Sequence, residues 1–296
     1  MQPNKMDATR PFCSAACLAL CAKVTRVRNR RTISQLESKR MNMRADAKVA
    51  IVTGAGSGIG EAIARHLAGQ GVTVVVADIN ASGGHAVAEQ IQGYFVKGDL
   101  RQSAACRELV DSTARKFGRI DILVNNAGFQ HISPIEDFPE DVLASLLALM
   151  LTAPFLLTKY VWPLMKAQRW GRIINMSSIH GLVASPFKAG YISAKHGLIG
   201  LTRAAALEGG QFGITVNAIC PGWTRTPLVE GQLRDLAKAQ GVTFDDVLDH
   251  VGLSEAAIKR LIEPEEIAAL VGFLVSDDGS AITGTTQVID AGLTAH

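Results

Sequence analysis

The chain has 296 residues, 48% of them hydrophobic, and a formal net charge of +3. That length and apolar share suit one α/β domain with a sizeable core plus a tail. The charge is uneven: residues 1–40 hold nine basic side chains (Lys5, Arg10, Lys23, Arg26, Arg28, Arg30, Arg31, Lys39, Arg40) against Asp7 and Glu37, so the rest is net acidic, and nothing in the body's charge calls for nucleic acid or an anionic membrane as partner.

The tail's apolar run, Cys13 to Ala22, is far too short to span a bilayer, and its basic residues mostly follow it, the reverse of a secretory leader. We read residues 1–45 as a basic, disordered extension, upstream of a start at Met41 or Met43; the other reading is an organellar transit peptide. Residues 46–296 then form the folded domain. Of five cysteines, three (Cys13, Cys17, Cys21) lie in the tail, leaving Cys106 and Cys220 as small core side chains. That is no disulfide framework, with a metal or lipid reading of Cys13, Cys17 and Cys21 as a further alternative for the tail, and it suits a reducing cytoplasm.

In chain order, apolar runs alternate with helical patterns. A strand over 48–54 leads into a helix over 58–69, then come a strand over 72–78, a helix over 81–92, a strand over 93–99, a helix over 103–117 and a strand over 120–128. A long helix from near Pro139 to Gln168 contains Pro154, which predicts a kink. Next are a strand over 172–178, a helix over 189–208, a strand over 214–220, a variable helical segment to 262, a helix from Pro264 and a last strand near 285–290. Strands apolar on both faces imply a parallel sheet, and right-handed crossovers make it a single doubly wound, Rossmann-type α/β domain with helices on both faces.

The turn after the first strand holds Gly54, Gly56, Gly58 and Gly60. Glycines there allow φ > 0 and let backbone N–H groups reach a pyrophosphate at the helix N-terminus. Glu61 stands where a P-loop needs Lys, which argues against ATP or GTP hydrolysis, and although the loop fits no G-x-G-x-x-G register, Thr53-Gly54-x-x-x-Gly58-x-Gly60 resembles a variant dinucleotide fingerprint. Asp78 ends the second strand 18 residues after Gly60, where a carboxylate accepts from a ribose and repels a 2′-phosphate; Ser57, Ile79 and Asn80 offer no compensating cation, which points to NAD. Asn125-Asn126-Ala127-Gly128 closes the fourth strand, with side chains suited to bridging strands.

Tyr191 and Lys195, i and i+4 on a helix, share one face, and Ser178 ends the preceding strand. A neighbouring ammonium favours the phenolate, so Tyr191 can serve as general base. With the glycine loop, these residues resemble the short-chain dehydrogenase/reductase family over about residues 47–293. The resemblance implies a catalytic Ser178, Tyr191 and Lys195. It also implies cofactor contacts at Gly54, Ser57, Gly58, Ile59, Gly60, Asp78, Asp99, Leu100, Asn126, Tyr191, Lys195, Pro221, Thr224 and Thr226. One position departs: Met150 aligns with the family's usual asparagine in the long helix.

Gln130, His180, Lys188 and Gln232 sit where a substrate should lie, His180 two residues beyond Ser178 on a continuing strand. Their donors and charge suit a small carboxylate better than a steroid or a long acyl chain. The segments Gly128 to His131, Ser177 to Ser185, Phe187 to Ala189 and Thr226 to Val229 resemble members of that family acting on a short 3-hydroxy acid. The resemblance implies NAD-dependent, reversible oxidation of (R)-3-hydroxybutyrate to acetoacetate, in a homotetramer. The segment 223–262 is the expected lid. Other readings are a 3-oxoacyl thioester reductase, a polyol dehydrogenase, or an NAD-sensing protein without turnover.

Overall fold

The structure, a computed structural model, describes residues 47–295. The extension over 1–45, its three cysteines and its targeting alternatives therefore lie outside the described residues. Seven strands, β1 Val49–Thr53, β2 Thr73–Asp78, β3 Tyr94–Lys97, β4 Ile122–Asn125, β5 Gly171–Met176, β6 Ile214–Pro221 and β7 Thr286–Ile289, form one sheet in the order β3-β2-β1-β4-β5-β6-β7. Every pairing is parallel. The order reverses at β1 and β4, the switch point where doubly wound sheets open a crevice at their carboxyl ends.

The helices are α1 Gly58–Gly69, α2 Ala81–Gln90, α3 Ser103–Phe117, α4 Glu140–Gln168, α5 Ala189–Gly209, α6 Pro227–Gln240, α7 Phe244–Val247 and α8 Pro264–Val275. Alternation within the apolar strands divides the core into two layers. Ala50 and Val52 face α1 and α8, packing with Ile63, Leu67, Ile267 and Val271. Val49 and Ile51 face the opposite way, toward Leu109 of α3 and Leu157, Val161 and Met165 of α4. Each fully buried Ile or Leu contributes about 1.5–3 kcal/mol, so strands with two buried faces stay in the middle of the sheet. α4 is, among the described residues, the helix long and apolar enough by length and composition to cross a membrane; here its inner face is part of the core.

At Pro154 the expected kink takes the form of a π turn over Ala148–Thr152, in which the Ala153 N–H reaches back to the Ala148 carbonyl. A proline ring clashes with the carbonyl four residues earlier, and the wider turn relieves that clash. Pro163, which the sequence reading does not mark, sits inside the same helix.

Gly60 shows how tightly α1 is seated. A Cβ there would drive into the Gly54 carbonyl oxygen and come within 2.6 Å of Asn126 Nδ2. Gly60→Ala is therefore expected to cost about 1–3 kcal/mol through overpacking. A lower urea midpoint with an unchanged slope would register it.

Candidate active site

The carboxyl ends of the strands border a cleft of about 520 Å³. Every site residue expected from the sequence lines it except Gly60, whose role is the close packing of α1 on β1 rather than contact with a ligand. The cleft runs from the end of the edge strand β3, past the glycine loop, to Tyr191 and the start of α6.

The loop end is built for an anion. Gly54 and Gly58 take φ of 62° and 57°, left-handed values that glycine adopts without strain. Ser57 caps α1 through its backbone alone, with no side-chain bond to the first turn, so the leading N–H groups of α1 remain donors toward the cleft. A Cβ on Gly56 would stand 2.9 Å from Asp78 Oδ2 and 3.0 Å from the Gly84 nitrogen. The loop is thus held against the carboxylate of β2: Asp78 accepts from the Gly56 and Asn80 N–H groups, each at 2.8 Å. These residues fit a dinucleotide, with pyrophosphate at the start of α1 and a ribose at Asp78.

The asparagines behave as strand bridges. Asn125 donates to Asn175 at 2.8 Å and Asn175 to Thr202 at 2.9 Å, tying β4, β5 and α5 together. Asn126 donates to the carbonyls of Thr53 and Gly54 at 2.9 and 3.2 Å, fixing the entry to the glycine loop.

At the other end, β5 stops at Met176 and the chain turns into a 3₁₀ segment over Ile179–Gly181, with Ser178 Oγ accepting the His180 N–H at 3.1 Å. His180 therefore reaches the cleft through a capped turn and not along a continuing strand, as its spacing from Ser178 had suggested. Ser178 stands beside Tyr191 and favours its phenolate, and Lys195 Nζ lies 5.5 Å from the Tyr191 ring centre, the pair sharing one face of α5 as expected. The electrostatics differ from the sequence expectation. Burial pushes Tyr191 above the usual phenol range and Lys195 down to about 8. Lys195, 4% exposed, donates to the Met176 carbonyl at 2.7 Å. Desolvation opposes both charged forms more than their proximity favours them.

Met150 is 1% exposed in the π turn and packs with Leu146, Ala194, Phe129 and Tyr191. A thioether cannot donate a hydrogen bond, so this side chain supports Tyr191 by packing alone.

Gln130, His180, Lys188 and Gln232 converge. Gln232 Nε2, from α6, donates to Gln130 Oε1 at 3.2 Å, and Gln130 Nε2 is buried with no partner among the described residues. His180 Nε2 is 3.0 Å from Ser185 Oγ, and its ring meets Tyr191 edge to face at 6.2 Å. Lys188 Nζ sits 5.6 Å from the Trp223 ring centre, and burial draws its pKa down. Trp223 and Ser185 stand inside segments that the sequence reading singled out, yet their contacts depend on chain folding across the cleft.

His180 is held down to about 4, first by burial and then by Lys188 and His196, against an ordinary 6.5. Its folded pKa is depressed, so between pH 6.5 and about 4 the unfolded chain binds a proton that the folded chain does not. The stability is complete above that window and is lost as pH falls through it. His180→Gln is expected to flatten this acid loss, read as the change in urea midpoint between the two ends of the window.

Segment 223–262 borders the cleft through Trp223 to Gln232, and its ends are tied: the Ile262 N–H donates to the Trp223 carbonyl and the Arg225 N–H to the Ile262 carbonyl, each at 2.9 Å. It carries its own small cluster, Leu233, Ala237 and Val247 with Trp223 and Phe244, apart from the two layers of the sheet.

A family model described as enoyl-(acyl carrier protein) reductase matches residues 54–294. The chain belongs to the short-chain dehydrogenase/reductase family. This short-chain dehydrogenase/reductase is 46% identical to an uncharacterised oxidoreductase (YxjF) of Bacillus subtilis, over 84% of this chain and 99% of that one. It is 42% identical to a D-beta-hydroxybutyrate dehydrogenase of Rhizobium meliloti, over 84% and 99%. The crystal structure of levodione reductase superposes with a TM-score of 0.79 at 33% identity, covering 84% of this chain and 98% of that one. The chain is thus an oxidoreductase of a family that generally uses NAD or NADP.

Proposed function

We propose that this short-chain dehydrogenase/reductase oxidises (R)-3-hydroxybutyrate to acetoacetate, reversibly and with NAD. The observation that carries the reading is the buried Nε2 of Gln130, without a partner among the described residues, whose own oxygen is already taken by Gln232. Leaving a buried donor unsatisfied is costly, and a substrate carboxylate is an acceptor that would relieve it. Lys188, lining the same cleft, supplies the countercharge, and His180, neutral above about pH 4, adds polarity without a second charge. Relatives in Rhizobium meliloti and Cupriavidus necator named D-beta-hydroxybutyrate dehydrogenase, 42% and 40% identical, support the same substrate. Asp78 supports NAD, since a 2′-phosphate beside its carboxylate would meet like charge.

When bound, the dinucleotide takes up a hydride. The protein's side of the reaction is proton transfer and placement. Gln130, Lys188 and Gln232 hold the carboxylate, and Ser178 holds the hydroxyl oxygen. Tyr191 Oη receives the hydroxyl proton as hydride leaves C3, so the C–O bond becomes a carbonyl. Lys195 steadies the tyrosinate that accepts this proton and holds the ribose. The lid, with Gln232 on its first helix, excludes water from the closed site.

Initial-rate NADH formation tests this, with the (R) acid run beside the (S) acid, 3-hydroxybutyramide and NADP. Activity confined to the (R) acid with NAD is the expected result; equal rates on the amide would overturn the carboxylate clamp. The matched family description names an acyl carrier protein reductase, so acetoacetyl thioester with NADPH is the competing substrate pair.

The same reading includes a homotetramer. Leu143 and Phe155 of α4, Leu207 of α5 and Val288 of the edge strand β7 are exposed apolar side chains of the kind that a second copy covers. A native mass of four chains is expected, and a monomer would refute it.

A further inference from the structure

Each oxidation leaves the substrate's hydroxyl proton on Tyr191 Oη, and the next turnover requires it to leave. Most of the surroundings offer no way out. Met150, Leu146 and Ala194 with Phe129 form an apolar wall against Tyr191, and Met150 stands where the family resemblance places an asparagine; its thioether carries no proton to pass on. Lys195 is 4% exposed, and its bond to the Met176 carbonyl at 2.7 Å leads back into the end of β5 and away from solvent.

His180 differs from all of these. It lines the cleft, is partly exposed, and meets the Tyr191 ring edge to face with centres 6.2 Å apart. Its Nε2 is 3.0 Å from Ser185 Oγ, and Ser185 is half-buried between the exposed Ala184 and Pro186. The other ring nitrogen, Nδ1, has no hydrogen-bond partner among the described residues. Burial, Lys188 and His196 hold the imidazole neutral above about pH 4, and only a neutral imidazole accepts at one nitrogen while donating at the other. A line of exchangeable groups thus runs from Tyr191 through the ring to a hydroxyl at the rim.

We infer that His180 and Ser185 carry the Tyr191 proton out to solvent. The Tyr191 Oη–H bond breaks as a bond from Nδ1 to hydrogen forms, through one hydrogen bond or one bridging water. In the same step Nε2–H breaks toward Ser185 Oγ, and the Ser185 hydroxyl proton goes to a water or a buffer base outside. The tyrosinate is restored and one proton has left. The ring, still neutral, holds its proton on Nδ1 until exchange with solvent resets it. This rests on the proposed oxidation at Tyr191. It makes His180 a proton carrier with Ser185 as its outlet, distinct from the groups that hold the carboxylate.

Steady-state oxidation of (R)-3-hydroxybutyrate by the full chain at saturating NAD tests it, with imidazole varied at fixed pH and ionic strength. His180→Ala is expected to lower kcat by about 10²-fold, the low end for a positioned proton-transfer group, with KM changed much less. Added imidazole should then restore kcat in proportion to its concentration while leaving wild type unaffected. A side chain that only shapes the cleft gives no such rescue. Ser185→Ala should show a smaller loss of kcat, rescued in the same way. His180→Gln, which keeps a polar group but cannot relay, should stay slow. Both side chains are partly exposed, which makes the variants compatible with folding. Near wild-type kcat in His180→Gln, or a His180→Ala defect that imidazole leaves untouched, would overturn the inference while leaving the oxidation reading intact. No turnover of the (R) acid by wild type would overturn both.

Discussion

Tyr191→Phe is expected to lower turnover by about 10²–10⁴-fold, the usual weight of a positioned acid–base group, while NADH binding stays within experimental error. The substitution removes one oxygen and leaves the ring, which packs in the cluster of Leu146, Met150 and Ala194. The fold therefore has no reason to change. What is lost is the acceptor for the substrate's hydroxyl proton. Ser178 would keep its place on the substrate oxygen, but a serine hydroxyl is too weak a base to replace the phenolate. Lys195, which donates one N–H to the Met176 carbonyl at 2.7 Å, steadies the tyrosinate as a donor and is not placed to take the proton in its stead. Because burial raises the Tyr191 pKa, the wild-type rate of alcohol oxidation should climb with pH on its alkaline side. A nucleotide sensor without turnover would keep its output in the variant, and that result would remove the enzyme reading.

The second large effect concerns charge. Lys188→Ala is expected to reduce kcat/KM for (R)-3-hydroxybutyrate by about 10²-fold or more, the scale for deleting one partner of a desolvated charge pair, and to leave 3-hydroxybutyramide almost unaffected. Lys188 stands at the start of α5 and rests on the Trp223 ring, so truncation removes the ammonium without emptying the core. It should have a second consequence. Lys188 is one of the charges that depress His180, so the imidazole should titrate at higher pH in the variant, visible by NMR. Equal losses on acid and amide would mean that Lys188 serves only to shape the cleft.

Much of this was legible from the chain alone, for physical reasons specific to each element. The glycine run after an apolar strand has a single local solution, a tight turn into α1, and Gly54 and Gly58 take the left-handed conformation that only glycine adopts freely. Asp78 follows at the distance set by one βα unit. Tyr191 and Lys195 depend only on helical pitch. The order of the βα units carried the sheet with it, because parallel strands with right-handed crossovers leave few arrangements.

Other features were out of reach because no local rule contains them. Gln130 and Gln232 meet across 102 residues, while the Gln130 Nε2 donor is buried without a partner among the described residues. His180 looked like a strand residue until β5 ended two residues before Ser178 and a capped turn took over. Arg101 lines the same cleft as Asp78 only because β3 pairs beside β2 and brings the turn after it to that end.

The sequence by itself determined the α/β class and the nucleotide loop, and it singled out the residues we propose for proton transfer, since those follow from short-range periodicity and spacing. The tertiary structure alone decided how those residues are charged and which donors remain free: desolvation raises Tyr191 and lowers Lys195 and His180. Burial is a property of everything packed around a side chain, and it is set by contacts between segments that lie far apart in the sequence.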